Sequence, residues 1–322
     1  MRPAFQGIPW VYLTLAATAM LAFGGDDSRA DELSIEVVRL PSLQIDGQPV
    51  RAHTQGLELV QGRYYVTARR EDLFPKRALL LRTDTRGTNW EVWDITPADA
   101  RGNLTAMDHP GGMQSDGKNL WIPLAESKRK GRSVIRVFPM AGMIPGQPLR
   151  PDFEFPMDDH IGAVAVDKGR NVVYGANWDT ESGYVWDFQG NLKRILSRTE
   201  MESRGLGVVN GAHGGAGLAV QDWKVVNHRL IASGLFHGPG VTPELPQSRL
   251  MWFSDFLNPG FQRQAIVLPK EHGVELAHEA MAISDGSAYF LPEDLGVSNR
   301  IFRVSLADLM KGSGLPAFPS SH

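Results

Sequence analysis

The sequence predicts an all-β protein, a five-bladed β-propeller whose four-stranded blades are closed by an N-terminal strand. Three observations predict it. A histidine placed ahead of a small residue and an apolar stretch recurs five times, at "HTQGLEL" (53–59), "HPGGMQS" (109–115), "HIGAVAV" (160–166), "HGGAGLAV" (213–220) and "HEAMAIS" (278–284). The histidines are 56, 51, 53 and 65 residues apart, a period of the size that repeat architectures use. Finally, each unit continues into further strand-like segments, and the last unit runs out of chain one strand short while "LSIEVVRL" (33–40) stands spare at the other end. Closing the ring with that strand removes the exposed sheet edges. A six-bladed ring, with a degenerate blade inside the long fourth repeat, is the alternative.

In chain order, residues 1–30 read as a signal peptide. Arg2 precedes the apolar run "IPWVYLTLAATAMLAF", and Ser28 and Ala30 supply small residues ahead of Asp31. The expected mature protein, 31–322, is a single propeller domain, periplasmic or secreted. No later apolar stretch is long enough to span a bilayer, so no membrane contact is expected after cleavage.

Each histidine-led segment is followed by a second strand, most opened by a turn: "QGRYYVTAR", "DGKNLWIPLAE", "KGRNVVYGAN", "NHRLIASGL" and "DGSAYFLPE". The third strands are "RALLLRT", "RSVIRVF", "SGYVWDF", "SRLMWFS" and "NRIFRVS", and the fourth are "WEVWDI", "DFEFPM", "LKRILS" and "RQAIVL". With 42% hydrophobic and 21% charged residues the chain can bury a large core. It must do so unaided, because it has no cysteine for disulfides or for a thiolate metal site. A net charge of −3 gives no basic field for nucleic acid, and the run "KRKGR" (128–132) reads as a solvated hairpin tip.

The first strand of a propeller blade lies innermost, so a residue at its start sits at one mouth of the central channel. The five histidines are therefore expected to converge. One reading makes them metal ligands: His53, His109 and His160 at the core, with His213 and His278 as further candidates. Neutral imidazoles without thiolates suit a divalent Zn, Mn, Fe or Cu ion, and the adjacent Asp108, Asp158, Asp159 and Glu279 are placed to orient them. The other reading makes them struts, as in WD-repeat propellers, which the pairs Trp93-Asp94, Trp178-Asp179 and Trp186-Asp187 resemble.

The ends of the second strands form another layer near the mouth. Glu126, Glu293 or Asp179 is a candidate base there, and Arg69 or Arg70 a holder of an anionic group. Gln55, Asn177, Trp178 and His237 are candidate substrate contacts. No G-x-S-x-G nucleophile motif or phosphate-binding glycine loop occurs, and "GLGVVNGAHGGAG" (205–217) reads as a loop. The expected function is a monomeric, metal-dependent hydrolase or lyase, or an oxidative enzyme, acting on a small organic or sugar-derived substrate. A non-catalytic ligand-binding propeller is the alternative.

The stretch "HTQGLEL" with its following "QGRYYVTA" resembles the opening of plant-type glutaminyl cyclases, Thr54, Gln55, Gly56 and Leu57 matching their motif. That resemblance implies a five-bladed propeller and acyl-transfer chemistry that depends on Gln55 and nearby acids. The next strand carries "VTARRED" where that family has a Ser-Thr-Gly stretch. As a whole, the chain resembles uncharacterised secreted bacterial propellers.

Overall fold

Alternation along the second strands decides how the sheets stack. In Arg63–Arg70, Tyr64, Val66 and Ala68 point to one side and Tyr65 to the other; in Asn119–Ala125, Leu120, Ile122 and Leu124 oppose Trp121. Both faces are apolar, so each sheet is sandwiched between two others. The computed structural model describes residues 33–207, 217–238, 247–258, 260 and 263–311. The apolar run at 8–23 and His213 lie outside them.

Five sheets form the ring. Blade 1 comprises His53–Val60, Arg63–Arg70, Arg77–Asp84 and Glu91–Asp94, ordered from the axis outward. Blade 3 follows the same order with Ile161–Asp167, Val172–Asn177, Gly183–Trp186 and Leu192–Leu196. Blade 4 uses Gly217–Val226, Arg229–His237, Gln247–Phe253 and Arg263–Val267. In blade 5, Ala280–Ser284, Ser287–Leu291 and Asn299–Ser305 are completed by Ile35–Leu40, which pairs antiparallel with Asn299–Ser305 as its outer strand. Two-residue turns with positive φ at both positions, such as Gln61-Gly62 and Asp285-Gly286, join inner to second strands.

Five apolar clusters fill the five interfaces between neighbouring blades, including that between blades 5 and 1 where Leu57, Val66, Ala282 and Leu291 meet. The ring is thus five-bladed. The extra length of the fourth repeat is taken up in part by a small hairpin, Lys270–Glu271 with Val274–Glu275, rather than by a sixth blade.

Blade 2 departs from the pattern expected of "HPGGMQS". Its inner strand is split into His109–Pro110 and Gln114–Ser115, and Asn119–Ala125, Ser133–Pro139 and Phe153–Met157 follow outward from it. The intervening glycines cross to other blades: Gly112 N–H donates to Gly162 O at 2.9 Å, and Val164 N–H to Gly112 O at 2.9 Å. Such an approach leaves no room for a side chain, since a Cβ on Gly111 would lie 2.1 Å from Gly162 O.

Below the crossing, the axis is plugged by buried charge. The Asp222 carboxylate accepts hydrogen bonds from Leu57 N–H (3.4 Å), Trp223 N–H (2.8 Å), Met281 N–H (3.1 Å) and Lys224 Nζ (2.6 Å). Lys224 Nζ also donates to Met113 O at 2.7 Å. Blades 1, 2, 4 and 5 are tied to one ion pair, which satisfies inner-strand groups that have no neighbouring strand on the axial side.

Glu58 shares this cluster, accepting from Ser115 N–H at 3.2 Å and Leu59 N–H at 3.1 Å. Burial pushes its carboxyl up to about 7, against the pull of Lys224. A raised carboxyl stabilises the fold below the ordinary carboxylate range and loses that contribution as pH rises through about 7. Full loss over that rise of some two and a half units amounts to about 3 kcal/mol. Buried His109, described below, acts in the opposite sense at acidic pH, so the comparison must be made against a variant. Glu58→Gln is expected to gain about 3 kcal/mol on wild type between pH 4.5 and 8 in urea unfolding. A pH-independent difference would show that Glu58 does not titrate in this range.

Candidate functional site

Antiparallel register places the starts of the inner strands beside the ends of the second strands: His53 opposite Arg69, His109 opposite Ala125, Ile161 opposite Asn177 and Gly217 opposite His237. A cavity of about 250 Å³ opens at this mouth. His53, His109 and His160 all line it, together with Gln55, Asn177, Trp178 and Asp179.

Three β-bulges shape the cavity. The inner strands of blades 1, 3 and 4 slip register at Gln55, Gly162 and Gln221, and each of these three residues faces the cavity. A bulge leaves its extra residue unpaired and re-aims it, which turns Gln55 and Gln221 into the site.

The histidine rings are held in defined orientations. His160 Nδ1 donates to Glu126 O at 2.7 Å and lies 3.2 Å from Lys128 O. Carbonyls only accept, so Nδ1 carries the proton and Nε2 the lone pair. His53 Nδ1 is 2.7 Å from Asp294 Oδ1, which fixes the same tautomer. His109 Nε2 lies 3.0 Å from Gln55 Oε1, and its buried Nδ1 has no hydrogen-bond partner among the described residues.

His109, His160 and Trp178 form an edge-to-face cluster, with ring centroids 5.2 Å (His109–His160), 5.6 Å (His109–Trp178) and 4.4 Å (His160–Trp178) apart. Burial, helped by the Arg69 charge, holds His109 neutral and pushes it down to about 2. Burial also lowers His160, against the two carbonyls that favour its protonated form.

The remaining candidates are placed differently. The Glu126 carboxylate faces away, engaged by Lys128 at 2.8 Å and Arg132 at 2.9 Å, and these cations push it down to about 2. It does not line the cavity; its backbone carbonyl, not its side chain, serves His160. Asp179 lines the cavity and pairs with Arg129. Arg69 and Arg70 are turned to carboxylates two residues on in their own loop, Arg69 to Glu71 and Arg70 to Asp72 at 2.8 and 3.1 Å. Neither lines the cavity, so the expected anion clamp is not part of its wall. His237 stands exposed at the end of its strand, also off the wall.

His278 and Glu293 line an adjoining cavity of about 730 Å³ between blades 5 and 1. His278 Nδ1 is 3.2 Å from Glu279 Oε1, and that carboxylate raises the imidazole. Glu293 is paired by Arg300 at 2.6 and 3.0 Å. The five expected histidines therefore resolve into three at the axis and one beside it, with His213 outside the described residues.

Glu279 and Gln221 also belong to the axial wall. The sequence pointed to Glu279 only as a neighbour of His278; Gln221 was signalled by polar residues within the otherwise apolar inner strand "GLAVQDWKVV".

A model of a family described as a "Family of unknown function (DUF6454)" matches residues 94–241, from the end of blade 1 into blade 4. No curated protein matches the chain, and none of the comparisons shows the glutaminyl cyclase resemblance. Among solved structures, the chain is similar to a bifunctional GH43-CE protein of Bacteroides eggerthii, with a TM-score of 0.48 and 12% identity over 81% of this chain and 34% of that one. It therefore spans about a third of that protein's length. It is similar also to an α-L-arabinofuranosidase of Fusarium graminearum, with a TM-score of 0.46 and 9% identity over 82% and 84% of the two chains. The WD40 domain of Toxoplasma gondii coronin is a third, with a TM-score of 0.40 and 8% identity over 86% and 90%. At such identities the likeness concerns architecture alone. Among the described residues no helix is long and apolar enough to cross a membrane.

Proposed function

We propose that the axial cavity is the active site of a hydrolase acting on a small polar molecule. The observation that carries this reading is His160: its Nδ1 proton is committed to the Glu126 carbonyl, and its ring lines the cavity with a lone pair on Nε2. In this scheme Nε2 accepts a proton from water as the water oxygen bonds to the electrophilic centre of the substrate. The bond to the leaving group then breaks, and the resulting imidazolium protonates the electron pair that departs with it. Gln55, Asn177 and Gln221 hold polar groups of the substrate, and Trp178 supplies an apolar face.

His160→Asn keeps a donor where Nδ1 stands and removes Nε2. Assayed on a panel of p-nitrophenyl esters and glycosides, it is expected to lose at least about 100-fold in kcat with an unchanged unfolding midpoint. Turnover by wild type that persists undiminished in the variant would remove His160 from the chemistry.

A second reading is favoured by the same hydrogen bonds. His53 and His160 each have Nδ1 held by an oxygen, as in metal-bound imidazoles, and His109 Nδ1 is buried without a partner among the described residues. These rings suit a divalent Zn, Mn, Fe or Cu ion that would polarise the substrate or activate the water. Among the described residues no three His, Asp or Glu side chains are grouped closely enough to hold an ion as they stand, so ligation would require the rings to turn. Plasma mass spectrometry of wild type beside His109→Ala decides between the readings. About one metal per chain, lost in the variant, selects the metal; metal-free wild type that turns over selects His160 alone.

A further inference from the structure

His53 and Glu279 line both the axial cavity and the larger one between blades 5 and 1. The two cavities therefore share a wall made of one imidazole and one carboxylate. At about 250 Å³ the inner compartment falls below the ordinary size of a small-molecule site, and at about 730 Å³ the outer one falls within it.

Their chemistry differs. Around the inner compartment stand planar polar groups, Gln55, Asn177, Asp179 and Gln221, beside the half-exposed indole of Trp178. No lysine or arginine lines it among the described residues. Its two carboxylates are already partnered, Asp179 by Arg129 and Glu279 by His278, so the wall offers a ligand polar groups rather than a free charge; it matches a ring bearing hydroxyls along its edge and C–H bonds on its face. The outer compartment combines charged side chains, among them Arg51, Glu293 and Asp294, with an apolar side to which Pro49, Pro292 and Val297 contribute. Val297 is 76% exposed there, at the rim.

We infer that the ligand is a two-part conjugate: a neutral polyhydroxyl ring in the axial cavity joined to an apolar group in the outer cavity, with the linkage passing between His53 and Glu279. This rests on the axial cavity being the active site as proposed above. Neither compartment alone accounts for the shared wall, whereas a molecule occupying both contacts His53 and Glu279 at its joint. The outer apolar wall adds affinity in proportion to the area it covers.

Binding tests this apart from catalysis. Methyl and 4-methylumbelliferyl glycosides of the same set of sugars are titrated into wild type and Val297→Arg, which places a charge on the rim of the outer cavity alone. At least about tenfold tighter binding of the aryl glycoside by wild type is expected, about 1.4 kcal/mol. Val297→Arg should abolish that gain while leaving methyl glycoside binding unchanged. Equal affinities for the two kinds of glycoside, an aryl advantage that survives Val297→Arg, or no binding of either kind would overturn the inference. If the pattern appears but no glycoside or ester is hydrolysed, the two-part ligand stands and the hydrolase reading falls.

Discussion

Asp222→Ala is expected to lower the unfolding free energy by about 3–5 kcal/mol, measured by urea unfolding with tryptophan fluorescence. The residue is fully buried, as is Lys224, with 0% and 1% of their side chains exposed. Truncation strands the ammonium with only the Met113 carbonyl and deprives Leu57, Trp223 and Met281 of an acceptor. Each unsatisfied donor costs about 1–3 kcal/mol, but neighbouring losses do not add. For a domain of ordinary stability, about 5–15 kcal/mol, this is a large share. Because it is the uncompensated charge that hurts most, the double variant Asp222→Asn with Lys224→Met should recover most of the loss. An Asp222→Ala variant within about 1 kcal/mol of wild type would show that the axial ion pair is dispensable.

The second large effect is expected at Gly111→Ala. The added methyl group would stand 2.1 Å from Gly162 O, which already accepts the Gly112 N–H. Backbone cannot rotate away as a side chain can, so the strands of blades 2 and 3 must separate. Overpacking of this kind costs up to about 3 kcal/mol. The same displacement moves His109 and Gly162, both part of the axial wall, so any ligand that binds there should be lost as well. Gly142→Ala serves as the control, because its added carbon would meet only Pro139 Cγ at 3.7 Å, and it should leave stability within about 0.5 kcal/mol. Equal stability of the two variants would mean that the crossing at the axis is soft.

The architecture was legible because its signals are local. Turn pairs such as Asp285-Gly286 and apolar alternation in "RYYVTA" are properties of short segments, and the period of the histidines carries the blade count. The convergence of His53, His109 and His160 followed from where inner strands begin. What was not legible depends on partners distant in sequence. Gln221 enters the cavity through a bulge set by register with the second strand, and Gly111-Gly112 reads as strand until the blade 3 backbone it touches is known. Arg69, Arg70 and Glu126 sit at the expected height, yet short loops return charged groups that neutralise them locally. Spacing along a chain fixes position on an element better than it fixes the direction in which a long charged side chain turns.

The pairing of Ile35–Leu40 with Asn299–Ser305 sets a clock for assembly. Inner and second strands are joined by short turns, so each blade can fold soon after its own residues leave the ribosome. The outer place in blade 5 is filled by residues that emerge before those of blades 1 to 4 and must wait for a partner that follows all of them. Until then the strand from 35 to 40 is loose, and the blade that will receive it does not exist. Loop closure on that scale is slow in proportion to the separation it spans. Everything before this step is a stack of sheets with two free ends, open to capture by a neighbouring chain. The moment of danger therefore lasts until Asn299–Ser305 is made, and a factor that shields Ile35–Leu40 until then would act on this chain more than on one whose blades are each continuous in sequence.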